Sequence, residues 1–143
     1  MYKLEQTKFI NELTLGIPVD HLQEAISWYQ HYLGCELIQP LYGYADMRLG
    51  KNQKILLFIP DDGVFFAGPS YKENPHYLLR LLVNDIEEFH RFLTSSGVKA
   101  GEIVGEEGAA LGRSFIFSDP YRNRLLAWTG FHCDPSKDLL KDL

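Results

Sequence analysis

Apolar and polar residues alternate over residues 12–19 (Glu-Leu-Thr-Leu-Gly-Ile-Pro-Val), with Leu13, Leu15 and Ile17 on one side. That two-residue period predicts a half-buried strand. Beyond Asp20 the period becomes helical, with Leu22, Ala25, Ile26, Tyr29 and Leu33 recurring three and four residues apart. Asp20 supplies an N-cap, Gln23 is placed to close a capping box, and Gly34 is a C-terminal stop. Three short strands are predicted next, around 35–42, 44–49 and 54–60. The last two join through the turn residues Gly50-Lys51-Asn52-Gln53.

The same order then returns. Residues 76–83 (His-Tyr-Leu-Leu-Arg-Leu-Leu-Val) predict a strand, Asp85 with Glu88 repeats the cap, and Ile86, Phe89 and Leu93 form a helical stripe stopped by Gly97. Strands around 98–104, 113–118 and 124–129 complete the second set, the last two joined through Asp119-Pro120-Tyr121-Arg122-Asn123. Overlaying Val19 on Val83 aligns the two cap regions and brings Gly34 and Gly97 within one residue of register, which favours duplication of one unit. The expectation is a single α+β domain of two βαβββ modules, about 10–60 and 76–130. A connector at 61–75 separates them, and a tail over 131–143 ends in a short helix from about Pro135.

Each helix covers one face of its sheet and leaves the other open. By parity the first strand turns Leu13, Leu15 and Ile17 to the helix and Glu12, Thr14 and Gly16 away from it. The fifth strand turns Tyr77, Leu79 and Leu81 to its helix and His76, Leu78 and Arg80 away. Two such sheets edge to edge would form a cup-shaped mixed sheet with the helices outside, the concave kind of wall that takes small ligands.

Composition narrows the field. The 143 residues carry a net charge of -5 and no Lys/Arg cluster, which argues against nucleic acid. No apolar run approaches the ~20 residues of a membrane span, and the N-terminus has no signal-peptide pattern. Cys35 and Cys133 are too few for a disulfide framework, so a cytoplasmic location is the expectation. Aromatic residues make up 13% of the chain, more than a core of this size needs, which suits a ligand cavity.

The stretch from Ile17 to Gly34 (Ile-Pro-Val-Asp-His-Leu-Gln-Glu-Ala-Ile-Ser-Trp-Tyr-Gln-His-Tyr-Leu-Gly) resembles the opening of the glyoxalase/bleomycin-resistance/dioxygenase family, the vicinal oxygen chelate superfamily. The string Phe115-Ile116-Phe117-Ser118-Asp119-Pro120-Tyr121-Arg122-Asn123-Arg124-Leu125-Leu126 is similar to that family's closing hairpin, with Arg122 where the family places Gly. The resemblance spans roughly residues 12–130. It implies the cup-shaped fold, a homodimer, and in the enzymes of the family a divalent metal held by His or Glu. Carried over by position, the metal ligands fall on Thr14, Leu78 and Leu126, and residues 54–60 offer neither His nor Glu. Leucine has no donor, so the inherited metal site looks dismantled. Glu12 and His76, two residues before Thr14 and Leu78, either form a shifted two-ligand site or are exposed strand-start residues.

Arg80, amid leucines, either pairs with Glu12 or another carboxylate or receives an anionic ligand. Trp128 shares a face with Leu126 and either stacks on a flat ligand or packs in the core or a dimer. His21, His31, His90 and His132 read as surface residues. The glycine-rich segment Gly101 to Gly112 reads as a mobile lid and lacks the Lys and Ser/Thr of a phosphate loop. No nucleophilic triad is legible, and the catalytic residues stay unknown. Two functions are in play: a metal-free protein binding a small molecule through Glu12, Thr14, His76, Leu78, Arg80, Leu126 and Trp128, or a metal-dependent lyase, isomerase or dioxygenase with a relocated site. A ligand-sensing partner of another protein is a third.

Overall fold

In the computed structural model, which describes residues 9–61 and 77–132, the first alternating stretch forms a strand only over Leu15–Pro18 (β1). Leu13 was expected on the helix side but precedes the strand and is 91% exposed. The helix α1 spans Leu22–Leu33. Its cap is His21 rather than Asp20: the His21 backbone is extended and its Nδ1 accepts the Glu24 N–H at 3.2 Å. Gly34 ends the helix in the left-handed region (φ 69°), where a residue without Cβ is unstrained.

Three strands follow, β2 (Glu36–Leu41), β3 (Tyr44–Leu49) and β4 (Gln53–Phe58). The sheet order is β1-β4-β3-β2, with β1 parallel to β4 and the other pairs antiparallel. Alternate residues Ile17, Ala45, Met47, Ile55 and Leu57 are buried, as are Ala25, Ile26 and Tyr29 of α1. Burying side chains of this size contributes about 1.5–3 kcal/mol each for the larger apolar ones.

The chain divides into two compact units, Met1–Val64 and Phe65–Leu143. In the second, β5 (Leu79–Leu82) leads to α2 (Ile86–Ser95), capped by Asp85, whose Oδ1 accepts the Glu88 N–H at 3.1 Å. The strands β6 (Ser114–Ser118) and β7 (Arg124–Trp128) complete a sheet of order β5-β7-β6, with β5 parallel to β7. Ile86, Leu93, Phe115, Phe117, Leu125 and Ala127 form its core. The strand expected over 98–104 is absent as such. Only the bridges Ala100 to Phe117 and Val104 to Ser114 form, because Gly101 and Gly105 (φ +96°) interrupt the extended run. The second unit is therefore βα followed by bridging backbone and two strands. The connector, apart from Asp61, and the tail beyond His132 lie outside the described residues.

One constant shift in numbering carries Leu15 onto Leu79, His21 onto Asp85, Leu22 onto Ile86 and Tyr29 onto Leu93. A second carries Ile55 onto Leu125 and Phe58 onto Trp128, the partners of β1 and β5. The equivalent bonds Val19 N–H to Phe58 O and Val83 N–H to Trp128 O are both 2.8 Å long. The repeat is thus structural as well as textual: α+β, two mixed sheets, one helix on each. No helix of the described residues is long and apolar enough to cross a membrane.

Candidate functional site

The alternation that buries one face of each sheet assigns the other. In the first unit Lys54, Leu56 and Phe58 of β4 alternate with buried Ile55 and Leu57, and Asp46 of β3 pairs with Leu56 in register. Lys54 Nζ lies 2.9 Å from Glu12 Oε1 and 3.4 Å from Asp46 Oδ2, while Thr14 Oγ1 donates to the same Glu12 oxygen at 2.9 Å. The hydrogen bond from Lys54 is the main reason the Glu12 carboxyl titrates below its ordinary value, with the Thr14 bond and the Lys54 charge adding to it. The Lys54 ammonium is held above its own, first by Glu12 and then by Asp46, against the opposing effect of desolvation. Two carboxylates here share one ammonium.

Deeper along this face, Gly16 leaves room for an aromatic ring. A Cβ on Gly16 would stand 3.2 Å from Phe58 Cε1. The second unit places different chemistry at the same positions, since Arg80 is the counterpart of Gly16 and Trp128 that of Phe58. The Arg80 guanidinium lies 4.3 Å from the Trp128 ring centroid and 5.9 Å from that of Phe131. Such stacking holds a cation with about 0.5–1 kcal/mol at an exposed site. Trp128 is fixed in turn: its Nε1 donates to Leu111 O at 3.0 Å, and Phe131 meets its ring edge-on at 4.7 Å. Gly112 (φ +79°) is required beside it, since a Cβ there would meet Gly130 O and stand 2.9 Å from Trp128 Nε1.

Leu78 and Leu126 are half-buried, and Leu126 is the register partner of Arg80. No carboxylate among the described residues of this unit pairs with Arg80, so the expected internal ion pair does not form there. Glu12, the partner first expected for it, is bonded to Lys54 and Thr14. His76 lies outside the described residues.

Other expectations need correction. His21, His31 and His132 are exposed as expected, His21 also capping α1, but His90 is half-buried, its Nε2 2.8 Å from Gly101 O and its ring edge-on to Phe115. The segment Gly101 to Gly112 is bonded to β6 at its start, by Gly101 N–H to Ile116 O (2.8 Å) and Val104 N–H to Ser114 O (2.7 Å), so only the part beyond Val104 is left for the expected lid. Sequence reasoning missed Lys54 and Asp46 at the polar cluster and Phe131 beside Trp128. Lys54 could have been found from the alternation of β4. Phe131 follows Gly130 outside any periodic stretch and carried no signal.

The turn between β6 and β7 is the second feature with a precise architecture. Asp119 Oδ1 accepts the N–H groups of Tyr121 (2.8 Å) and Asn123 (2.9 Å), and Asn123 Nδ2 donates to Asp119 Oδ2 at 2.8 Å. Arg122 occupies the left-handed region at φ 66°, the conformation a glycine would adopt without strain. The glyoxalase/bleomycin resistance protein/dioxygenase superfamily model matches residues 10–126, including this turn.

The chain belongs to that superfamily. A member of the superfamily from Sphaerobacter thermophilus DSM 20745 superposes with a TM-score of 0.66 at 21% identity, covering 85% of this chain and 98% of its own. The genomically encoded fosfomycin resistance protein FosX from Listeria monocytogenes gives 0.66 at 16% identity, covering 96% and 100%. TnmS3, an antibiotic binding protein from Streptomyces sp. CB03234, gives 0.59 at 21% identity, covering 86% and 98%. These likenesses establish the fold. No curated protein matches the chain by sequence. At the positions to which the resemblance carries the metal ligands, the residues present fit a metal poorly: Leu78 and Leu126 have no donor, and Thr14 is bonded to Glu12. Among the described residues no three His, Cys, Asp or Glu side chains cluster as a metal site would need.

Proposed function

We propose that this chain is a small-molecule-binding member of the superfamily that holds its ligand without a metal, on the sheet faces turned away from the helices. The single observation that carries the reading is the donor set: two leucines and an engaged threonine stand at the superfamily's ligand positions. The Glu12 carboxylate, which a relocated site would need, is already compensated by Lys54. Displacing Lys54 would expose its charge and that of Asp46 to each other, a cost that two-ligand coordination offsets poorly. The antibiotic-binding neighbour adds support for a binding role in this fold.

The proposal includes a cytoplasmic location, supported by the buried free thiol of Cys35, and a homodimer, which the family resemblance implies. Elemental analysis of natively purified protein, with melting curves in chelator and in added Zn²⁺, Ni²⁺, Mn²⁺ or Fe²⁺, tests it. The expected result is no stoichiometric metal and no shift in Tm. Near-stoichiometric metal, with a chelator-sensitive Tm lost in Glu12→Ala or His76→Ala, would overturn it in favour of a metal-dependent lyase, isomerase or dioxygenase.

A further inference from the structure

Among the described residues, the open face of the second unit carries cations and no carboxylates. By register and parity it comprises Leu78, Arg80 and Leu82 of the β5 strip, Arg124, Leu126 and Trp128 of β7, and Ser114, Ile116 and Ser118 of β6. In a chain of net charge -5 that is an unusual local balance. Of the other arginines near this sheet, Arg113 is spoken for by Glu87 at 3.1 Å and Arg124 has a partner of its own. Arg80 is different. Its guanidinium carbon lies over the indole of Trp128, 4.3 Å from the ring centroid, and no carboxylate among the described residues pairs with it.

Stacking fixes the orientation of a long side chain that would otherwise lose about 1.5–2 kcal/mol of rotamer freedom on being ordered by a ligand. An ordered guanidinium fork matches the two oxygens of a carboxylate. Around it, Leu78, Leu126 and Ile116 offer apolar surface to whatever the anion is attached to. Repulsion from the rest of the acidic chain is screened beyond about 8 Å at physiological salt, so the local cation decides.

Resting on the binding reading above, we propose that the ligand of this face is an amphipathic carboxylate, its anionic group taken by Arg80 and its apolar body laid on Leu78, Leu126 and Ile116. The first unit offers no such place, because at the counterpart of Arg80 it has Gly16, filled by the Phe58 ring.

Calorimetric titration of the full chain with 2-naphthoate and with its neutral isostere 2-naphthamide tests the assignment. The carboxylate is expected to bind at least about tenfold more tightly than the amide, the value of one charge-assisted hydrogen-bond pair. Arg80→Met should remove that preference while leaving the amide's affinity in place. Equal binding of the two probes by the unaltered protein, or a preference that survives Arg80→Met, overturns the carboxylate assignment and leaves the binding role standing. Binding of neither probe overturns the assignment and the use of this face together. The comparison on the unaltered protein stands without any variant, so it does not depend on how Arg80→Met folds.

Discussion

Lys54 in the first unit and Arg80 in the second both project from the sheet face opposite a helix, yet they end in opposite circumstances. Lys54 is enclosed by Glu12 and Asp46, both within 3.4 Å, and its charge is spent inside the unit. Among the described residues Arg80 meets an indole instead of a carboxylate, which steadies a cation without neutralising it. The backbone under both is the same duplicated frame, down to equal 2.8 Å bonds that tie Val19 and Val83 to their sheets. Duplication kept the frame where backbone hydrogen bonds and core volume constrain it. It let the open faces diverge, because nothing in the helix-side core depends on them.

The comparison can be broken most forcefully at the helix ends. Cys35 follows the glycine stop of α1 and is buried, with its N–H on Tyr29 O at 3.2 Å, as Val98 N–H bonds Leu93 O at 2.9 Å after α2. Burial pushes the Cys35 thiol up to about 12. In a Cys133→Ser background, alkylation of Cys35 at pH 8 should run about a thousandfold slower in the folded protein than in denaturant. Comparable rates would mean that this end of the first unit opens readily.

The closing turns come next. Asp119→Ala strips three acceptor contacts from a buried turn and should lower stability by about 3 kcal/mol in chemical denaturation. The exposed turn of the first unit has no counterpart to it, and Asn52→Ala there should stay within about 0.5 kcal/mol. Equal losses would dissolve the distinction. The same turns differ in who bears the left-handed residue: Gly50 at φ 67° in one, Arg122 at φ 66° in the other. Arg122→Gly should therefore stabilise by about 1 kcal/mol or somewhat less, and Gly50→Ala should destabilise by about 1 kcal/mol.

The smallest effect concerns the compensated cluster. Lys54→Met should move the Glu12 carboxyl titration upward toward its ordinary value, read by NMR. The sign for stability follows from the depressed folded-state value: the Glu12 contribution is present above the unfolded pKa and is lost as pH falls through the folded one. In Lys54→Met the acid limb of the stability curve should flatten. An unmoved Glu12 would remove the contrast with Arg80.

Periodicity in the sequence determined a good deal: both helices, their glycine stops, all seven strands to within a few residues, and the repeat that relates them. It did so because a helix stripe and a strand alternation are local, set by which neighbours along the chain share a face. The Asp-Pro string was legible for the same reason, since every bond in that turn spans at most four residues. Local logic misplaced the first cap, where Asp20 and His21 compete one residue apart, and predicted a strand over 98–104 where only two isolated bridges form. What only tertiary structure decided was the company each charged side chain keeps. Lys54 beside Glu12 and Arg80 over Trp128 are contacts between distant segments, brought together by a parallel strand pairing that no short-range period encodes. Which charge is neutralised and which stays available follows from that pairing.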